Sequence, residues 1–230
     1  MARSAEENRG IIYENKINGI LRRAKLLKPG FHAAGPDKNA PDAIFMKDKK
    51  EWKLEIKLDL KLDFGQGSLF YDLKTKQWKI GGDKTASAIW MHDFLESIGV
   101  SKIVNKVWKN AGAPRKFTVP LESFTKADVD NDYRKFKDEY TKVPNSSIED
   151  YYNSKGTYYI QIGGGYGTYY MGKDPAKLGV PRFDPKVSLR IRIKRGGSIP
   201  IYNYRFATAL RVNTPTRSKF NMEKDPNFLR

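Results

Sequence analysis

The sequence predicts an α/β or α+β fold, and three observations carry the prediction. A capping-box helix opens the chain, an unbroken apolar–charged alternation runs from Glu51 to Phe64, and strand-like runs dominate after Pro144. The 230 residues suffice for one large domain or two small ones with a real core. No internal repeat is present.

In chain order, Ser4-Ala5-Glu6-Glu7 is the capping box of a helix whose apolar positions include Tyr13, Ile17, Ile20, Leu21, Ala24 and Leu27. Pro29-Gly30 should stop it. After a loop with Gly35-Pro36-Asp37, residues 41–46 read as a short strand and 47–50 as a turn. The alternation from Glu51 to Phe64 reads as one long strand with a bend, broken by Gly65-Gln66-Gly67. A hairpin is expected over 69–73 and 77–80. Asp83 should cap a helix over 84–97, and Ser101 should start another to Lys109. Residues 116–120 suggest a strand. Thr125 should cap a helix with Val129, Tyr133, Phe136 and Tyr140 at helical spacing. Beyond a linker at Pro144-Asn145-Ser146, strands are expected over 157–162, 168–171, 187–194 and 201–212. The implied division is a core over 1–145 and a basic, strand-rich extension over 146–230, packed on that core.

Composition excludes several chemistries. The chain has no cysteine, so disulfide scaffolds, thiolate nucleophiles and sulfur-ligated metals are out. Its two histidines, His32 and His92, leave little room for imidazole catalysis, and His92 lacks a histidine nearby and is expected to be structural. No apolar run approaches the ~18 residues of a membrane span, and no signal-peptide core opens the chain. The expectation is an intracellular protein with no membrane association.

The net charge of +17 calls for a polyanionic partner, and it is unevenly spread. Residues 151–230 hold 15 basic and 4 acidic groups, including 8 of the 14 arginines, whose planar forks suit phosphate and guanine edges. Arg190, Arg192 and Lys194 alternate with Leu189, Ile191 and Ile193, so one strand face carries three cations. Arg195-Gly196-Gly197 should turn the chain so that Tyr202, Tyr204 and Arg205 return beside them. Such a ribbon fits a major groove or tracks phosphates beside a cleft. The neighbouring tyrosines, 151, 152, 158, 159, 166, 169 and 170, are better read as sheet packing than as stacking platforms. Gly167 to Lys173 mimics a phosphate-binding loop, but Asp174 replaces the required hydroxyl and no helix should follow.

The chemistry centres on Pro41-Asp42, then twelve residues, then Glu55-Ile56-Lys57. Two carboxylates from adjacent strands suit a hard divalent cation such as Mg²⁺, with Mn²⁺ as a substitute. Lys57, two residues after Glu55, shares its strand face. There it orients or deprotonates a water, or stabilises phosphate charge. Glu51-Trp52-Lys53 repeats the E-x-K pattern. A turn at residues 48–49 sets Asp42 opposite Glu55, whereas Glu51 lies four residues away, ~13 Å at the strand rise.

A helix with a glutamate, then P-D, then E-x-K resembles the PD-(D/E)xK nuclease superfamily, over about residues 4–80. The resemblance implies a restriction-endonuclease-like mixed sheet flanked by helices, and metal-dependent phosphodiester hydrolysis. By position it makes Asp42 and Glu55 metal ligands and Lys57 the catalytic lysine. It offers Glu14 or Glu7 as a first-helix carboxylate at the metal, and Gln66 as a further site residue. The expected function is a restriction- or homing-type endodeoxyribonuclease. Its partner would be double-stranded DNA, contacted by Arg190, Arg192, Lys194, Arg195 and Arg205, and a homodimer is compatible with that reading. The alternatives are a structure-selective nuclease or junction resolvase and, from another class, a nucleic-acid-binding protein without catalysis.

Overall fold

Two β-sheets and six α-helices give a mixed α+β architecture in this computed structural model, which describes residues 5–32, 41–81, 86–196 and 203–230, excepting the side chains of 5–8 and 86–90. The elements run α1 (Ala5–Arg23), β1 (Ala43–Lys47), β2 (Lys50–Lys57), β3 (Phe64–Asp72), β4 (Gln77–Gly81), α2 (Ala86–Ser97) and α3 (Val100–Val107). They continue with α4 (Arg115–Thr118), α5 (Lys126–Lys135), β5 (Glu139–Lys142), α6 (Ser146–Ser154), β6 (Thr157–Ile162), β7 (Gly167–Tyr170), β8 (Val187–Arg195) and β9 (Tyr204–Val212). Ser4, the 35–37 loop, the Asp83 cap, Gly197 and Tyr202 lie outside the described residues, as does the Glu7 side chain.

The chain divides into two compact units, one of residues 1–62, 145–187 and 212–230, the other of 63–144 and 188–211. Each draws on both sides of the division expected at 145/146. The first unit holds the sheet β1-β2-β6-β7, with β1 and β7 antiparallel to their neighbours and β2 parallel to β6. β1 and β2 are joined by Asp48-Lys49, both left-handed at φ 51° and 61°, a two-residue turn that matches strand twist. Helix α1 lays Ile17 and Leu21 into a core with Ala43, Phe45, Leu54, Ile56 and Tyr159. It ends where Lys25 turns left-handed and the Leu26 amide bonds back to the Leu21 carbonyl, before the expected Pro29-Gly30 stop.

The long alternation is not one strand: β2 takes only its first half, and residues 58–63 form a loop before β3. Asp59 Oδ1 accepts the Lys61 amide at 2.7 Å, and this local turn ends β2 at Lys57 despite continued periodicity. Gly65-Gln66-Gly67, expected to break the strand, lies inside β3 as a bulge, with Gly65 at φ 68°. A Cβ on Gly67 would sit 2.2 Å from the Leu95 side chain, so this glycine admits α2 onto the sheet.

The second unit carries the sheet β4-β3-β9-β8-β5. Trp78 packs its ring centroid 4.8 Å from Phe206, 4.9 Å from Trp108 and 5.4 Å from Phe136. Asn105 on α3 clips the edge strand by accepting the Trp78 amide at 2.7 Å and donating to its carbonyl at 2.8 Å. Residues 115–118 form helix α4 in place of the expected strand. The fully buried Asp132 carboxylate accepts the Arg115 and Lys116 amides at 2.7 and 2.9 Å, satisfying its first turn. Phe136 ends α5 as its C-cap, and Tyr140 belongs to strand β5.

Asp132 also accepts the Tyr204 hydroxyl at 2.8 Å, so its removal strands three donors in a buried place. Asp132→Ala is expected to cost at least about 2 kcal/mol, and Tyr204→Phe about 1 kcal/mol. The urea midpoint measures both; equal midpoints for Asp132→Ala and the parent would refute the capping role.

Candidate active site

The hairpin register runs from Lys47↔Lys50 to Ala43↔Leu54, and one more step sets Asp42 against Glu55. Asp42 Oδ2 accepts the Ile56 amide at 2.7 Å, which ties the P-D segment to β2 just beyond the ladder. The buried Asn18 of α1 donates to the Asp42 carbonyl at 2.9 Å and to the Glu14 carbonyl at 3.0 Å. One amide thus fixes the helix against the strand end that bears the carboxylate. Sequence periodicity treats Asn18 as a gap in an apolar face, and its role is visible only in three dimensions.

On β2, Glu55 and Lys57 share a face and form a direct ion pair, with side chains 12% and 19% exposed. Helix α6 covers Glu55: Tyr152, fully buried, donates its hydroxyl to Glu55 Oε1 at 3.1 Å. Neither α6 nor this contact was expected. The signal was nevertheless present, since Asn145-Ser146 precedes Ile148, Tyr151 and Tyr152 at helical spacing. Of the seven tyrosines expected to pack in sheets, Tyr159 and Tyr169 are buried in strands, Tyr151 and Tyr152 are buried on helix α6 instead, and Tyr158, Tyr166 and Tyr170 are half-buried.

Burial, and next the Glu55 carboxylate, push Asp42 well above the usual carboxylate range, and the Lys57 ammonium and Ile56 amide offset only part of this. Burial also raises Glu14, on which Lys57 acts downward and Glu55 upward, so this helix carboxylate lies within electrostatic reach of the pair. Burial opposes charge on Lys57, yet Glu55 and Asp42 outweigh it and hold the amine above its ordinary value. For Tyr152 burial raises the phenol well above its usual value, keeping it a hydrogen-bond donor.

These donors suit a hard cation. Asp42 and Glu55 offer oxygen, and the Glu55 carboxylate adds to the cost of ionising Asp42, which a divalent ion relieves as a proton would. Mg²⁺ needs only one or two carboxylates and keeps its waters. Among the described residues no three His, Cys, Asp or Glu side chains converge into a metal cage. Glu14 is thus not brought in as a third ligand, and Glu7 lies outside the described side chains. His92 is part-exposed and touches Asp93 at 3.3 Å.

Gln66 belongs to the second unit, where its Oε1 accepts from Lys194 Nζ at 2.8 Å and Arg205 Nη2 at 3.4 Å. Within that unit its neighbours are the basic strands β8 and β9. Arg190, Arg192 and Lys194 do alternate along β8, but carboxylates engage the two arginines. Arg192 meets Asp63 at 2.5 Å, and Arg190 meets Asp138 at 2.5 Å and Asp63 at 3.8 Å. Arg211, which sequence reading passed over, joins Asp63 at 3.3 Å. Arg195 is exposed and Arg205 half-buried. Neither has a carboxylate partner among the described residues.

Compared with protein-family models, curated proteins and solved structures, the chain matches none. Among the described residues, no helix is long and apolar enough to cross a membrane.

Ionised Asp42 is disfavoured by folding, so its contribution to stability should fall as pH rises above ~4, the unfolded carboxylate value. Asp42→Asn keeps an oxygen for the Ile56 amide and removes that charge. Its thermal midpoint is expected to exceed the parent's at pH 8, with the gain vanishing near pH 4. A lower midpoint at pH 8 would contradict the electrostatic account.

Proposed function

We propose that the chain is a divalent-metal-dependent endodeoxyribonuclease with a PD-(D/E)xK, restriction-endonuclease-like core. The observation that carries this reading is the register that sets Asp42 against Glu55, with Lys57 on the Glu55 face. Asp42 and Glu55 would hold Mg²⁺, or Mn²⁺ in its place. When bound, the ion polarises the scissile phosphate and acidifies a water. Lys57, on the Glu55 face, orients or deprotonates the water or stabilises charge on the phosphate. Asn18 and the Ile56 amide keep Asp42 in place, and Glu14 adds negative potential from the helix. The Glu51-Trp52-Lys53 copy lies elsewhere, Glu51 pairing with Lys28 at 2.8 Å.

Asp42→Ala, Glu55→Ala and Lys57→Ala should each abolish Mg²⁺-dependent nicking of supercoiled plasmid while retaining DNA binding. Glu51→Ala and Lys53→Ala should cut like the parent. Nicking by Glu55→Ala at the parental rate would overturn the site, and nicking in excess chelator would overturn the metal. Binding without any cleavage leaves the non-catalytic nucleic-acid binder, and preference for a branched duplex identifies a resolvase-like enzyme.

DNA contact is proposed for the basic strands of the second unit, with the structural pairing taken into account. Arg195 and Arg205 should act as phosphate contacts. In a Glu55→Ala background, each alanine substitution there should reduce the slope of log K against log salt by roughly 0.9 on all sequences alike. Arg192→Ala should also lower the urea midpoint, because it removes a partner from the 7%-exposed Asp63. Unchanged slopes for both Arg195→Ala and Arg205→Ala would move the DNA to another surface.

A further inference from the structure

The Glu55 carboxylate is held from two elements at once. Lys57 approaches its Oε1 along β2, and Tyr152 approaches the same oxygen from α6. Tyr152 is itself pinned. Its ring lies edge-on to Tyr151 with centroids 4.7 Å apart, and Ile148, one turn earlier on α6, is fully buried. Helix α6 is anchored in turn by Glu149, which takes two bonds from the Arg182 guanidinium at 2.8 and 2.7 Å. Gly156, left-handed at φ 69°, then turns the chain directly into β6, the parallel neighbour of β2. The hydroxyl is therefore fixed by packing, by an ion pair and by a short connection to the sheet that bears its target.

We propose that Tyr152 is a positioning residue for Glu55, its hydroxyl and Lys57 together fixing Oε1 so that Oε2 is the oxygen presented to a divalent cation. This inference rests on the reading of Glu55 as a ligand. A carboxylate with one oxygen taken by two donors has lost its freedom to rotate about its last bond. The cation then meets a preset oxygen and need not order the side chain itself. Asp42 follows the same scheme, since the Ile56 amide takes Oδ2 and leaves Oδ1 for the ion. Each ligand is thus split into an oxygen for the protein and an oxygen for the metal.

The test is Mn²⁺ binding to the full chain without DNA, followed by isothermal calorimetry for the parent, Tyr152→Phe and Glu55→Ala. Phenylalanine keeps the ring and its packing and removes only the donor. Tyr152→Phe is expected to bind Mn²⁺ about 10-fold more weakly, within the 10–100-fold usual when a ligand loses its hydrogen-bond partner. Its half-saturating Mn²⁺ for cleavage should rise in parallel, while turnover at saturating Mn²⁺ stays within about twofold. A role confined to folding would lower the thermal midpoint and leave Mn²⁺ affinity unmoved below the transition, and that result overturns the proposal. If Glu55→Ala binds Mn²⁺ as tightly as the parent, the ligand reading itself falls. Parental binding with Tyr152→Phe unchanged and Glu55→Ala abolished refutes the positioning role alone.

Discussion

The two left-handed residues at Asp48-Lys49 are the constraint on which the first unit depends. A two-residue turn of this kind fixes the pairing of β1 with β2, because its twist matches the strands and a longer or shorter loop shifts the ladder by a residue. In strands a one-residue slip exchanges faces. It would turn Phe45 and Leu54 away from α1 and carry Asp42 off Glu55 in the same movement. The core and the candidate site thus share one register. The burial of Phe45 and Leu54 keeps the two carboxylates opposed. The left-handed conformation is costly for Asp and Lys, and the ladder and the core must outweigh it.

That shared register brings an electrostatic conflict into a buried place. Asp42 lies where burial and Glu55 both oppose its ionisation, and Lys57 offsets only part of the cost. Folding alone would favour an amide at position 42. The helix answers the conflict mechanically and not with charge: Asn18 holds the Asp42 backbone, and the neighbouring acid, Glu14, only increases the negative potential. An Asp42 carboxylate made costly by burial and Glu55, and braced by neutral hydrogen bonds from Asn18 and the Ile56 amide, is a group whose charge a cation would relieve.

The fold was legible where local chemistry and tertiary packing agreed. Strand β6 ends where its sequence pattern does, and the β1–β2 turn falls where the Asp42–Glu55 argument needs it. The alternation past Lys57 misled because Leu58, Leu60 and Leu62 keep the period while only half-buried, Leu58 packing against the edge of the core, and the Asp59 turn intervenes. Helix α6 was hidden by adjacent tyrosines, whose preference for strands is overridden by burial against β2 and β6. Residues 115–118 were likewise misjudged, since their helical turn depends on Asp132, which is distant in sequence. Within the candidate site, Asp42, Glu55 and Lys57 follow from spacing, whereas Asn18 and Tyr152 contribute through contacts that no period encodes.

The basic strands show how far alternation alone reaches. Period two correctly groups Arg190, Arg192 and Lys194 on one side of β8, but a face is only a direction, and what lies on it depends on other strands. Asp63 approaches from the start of β3 and Asp138 from just before β5, and each takes up part of the charge that composition counted as available. Arg190, Arg192 and Arg211 converge on the buried Asp63 side chain, so part of that positive charge is taken up inside the second unit. A planar guanidinium can also hold one carboxylate through two nitrogens at once, as Arg190 does with Asp138, which a lysine ammonium cannot.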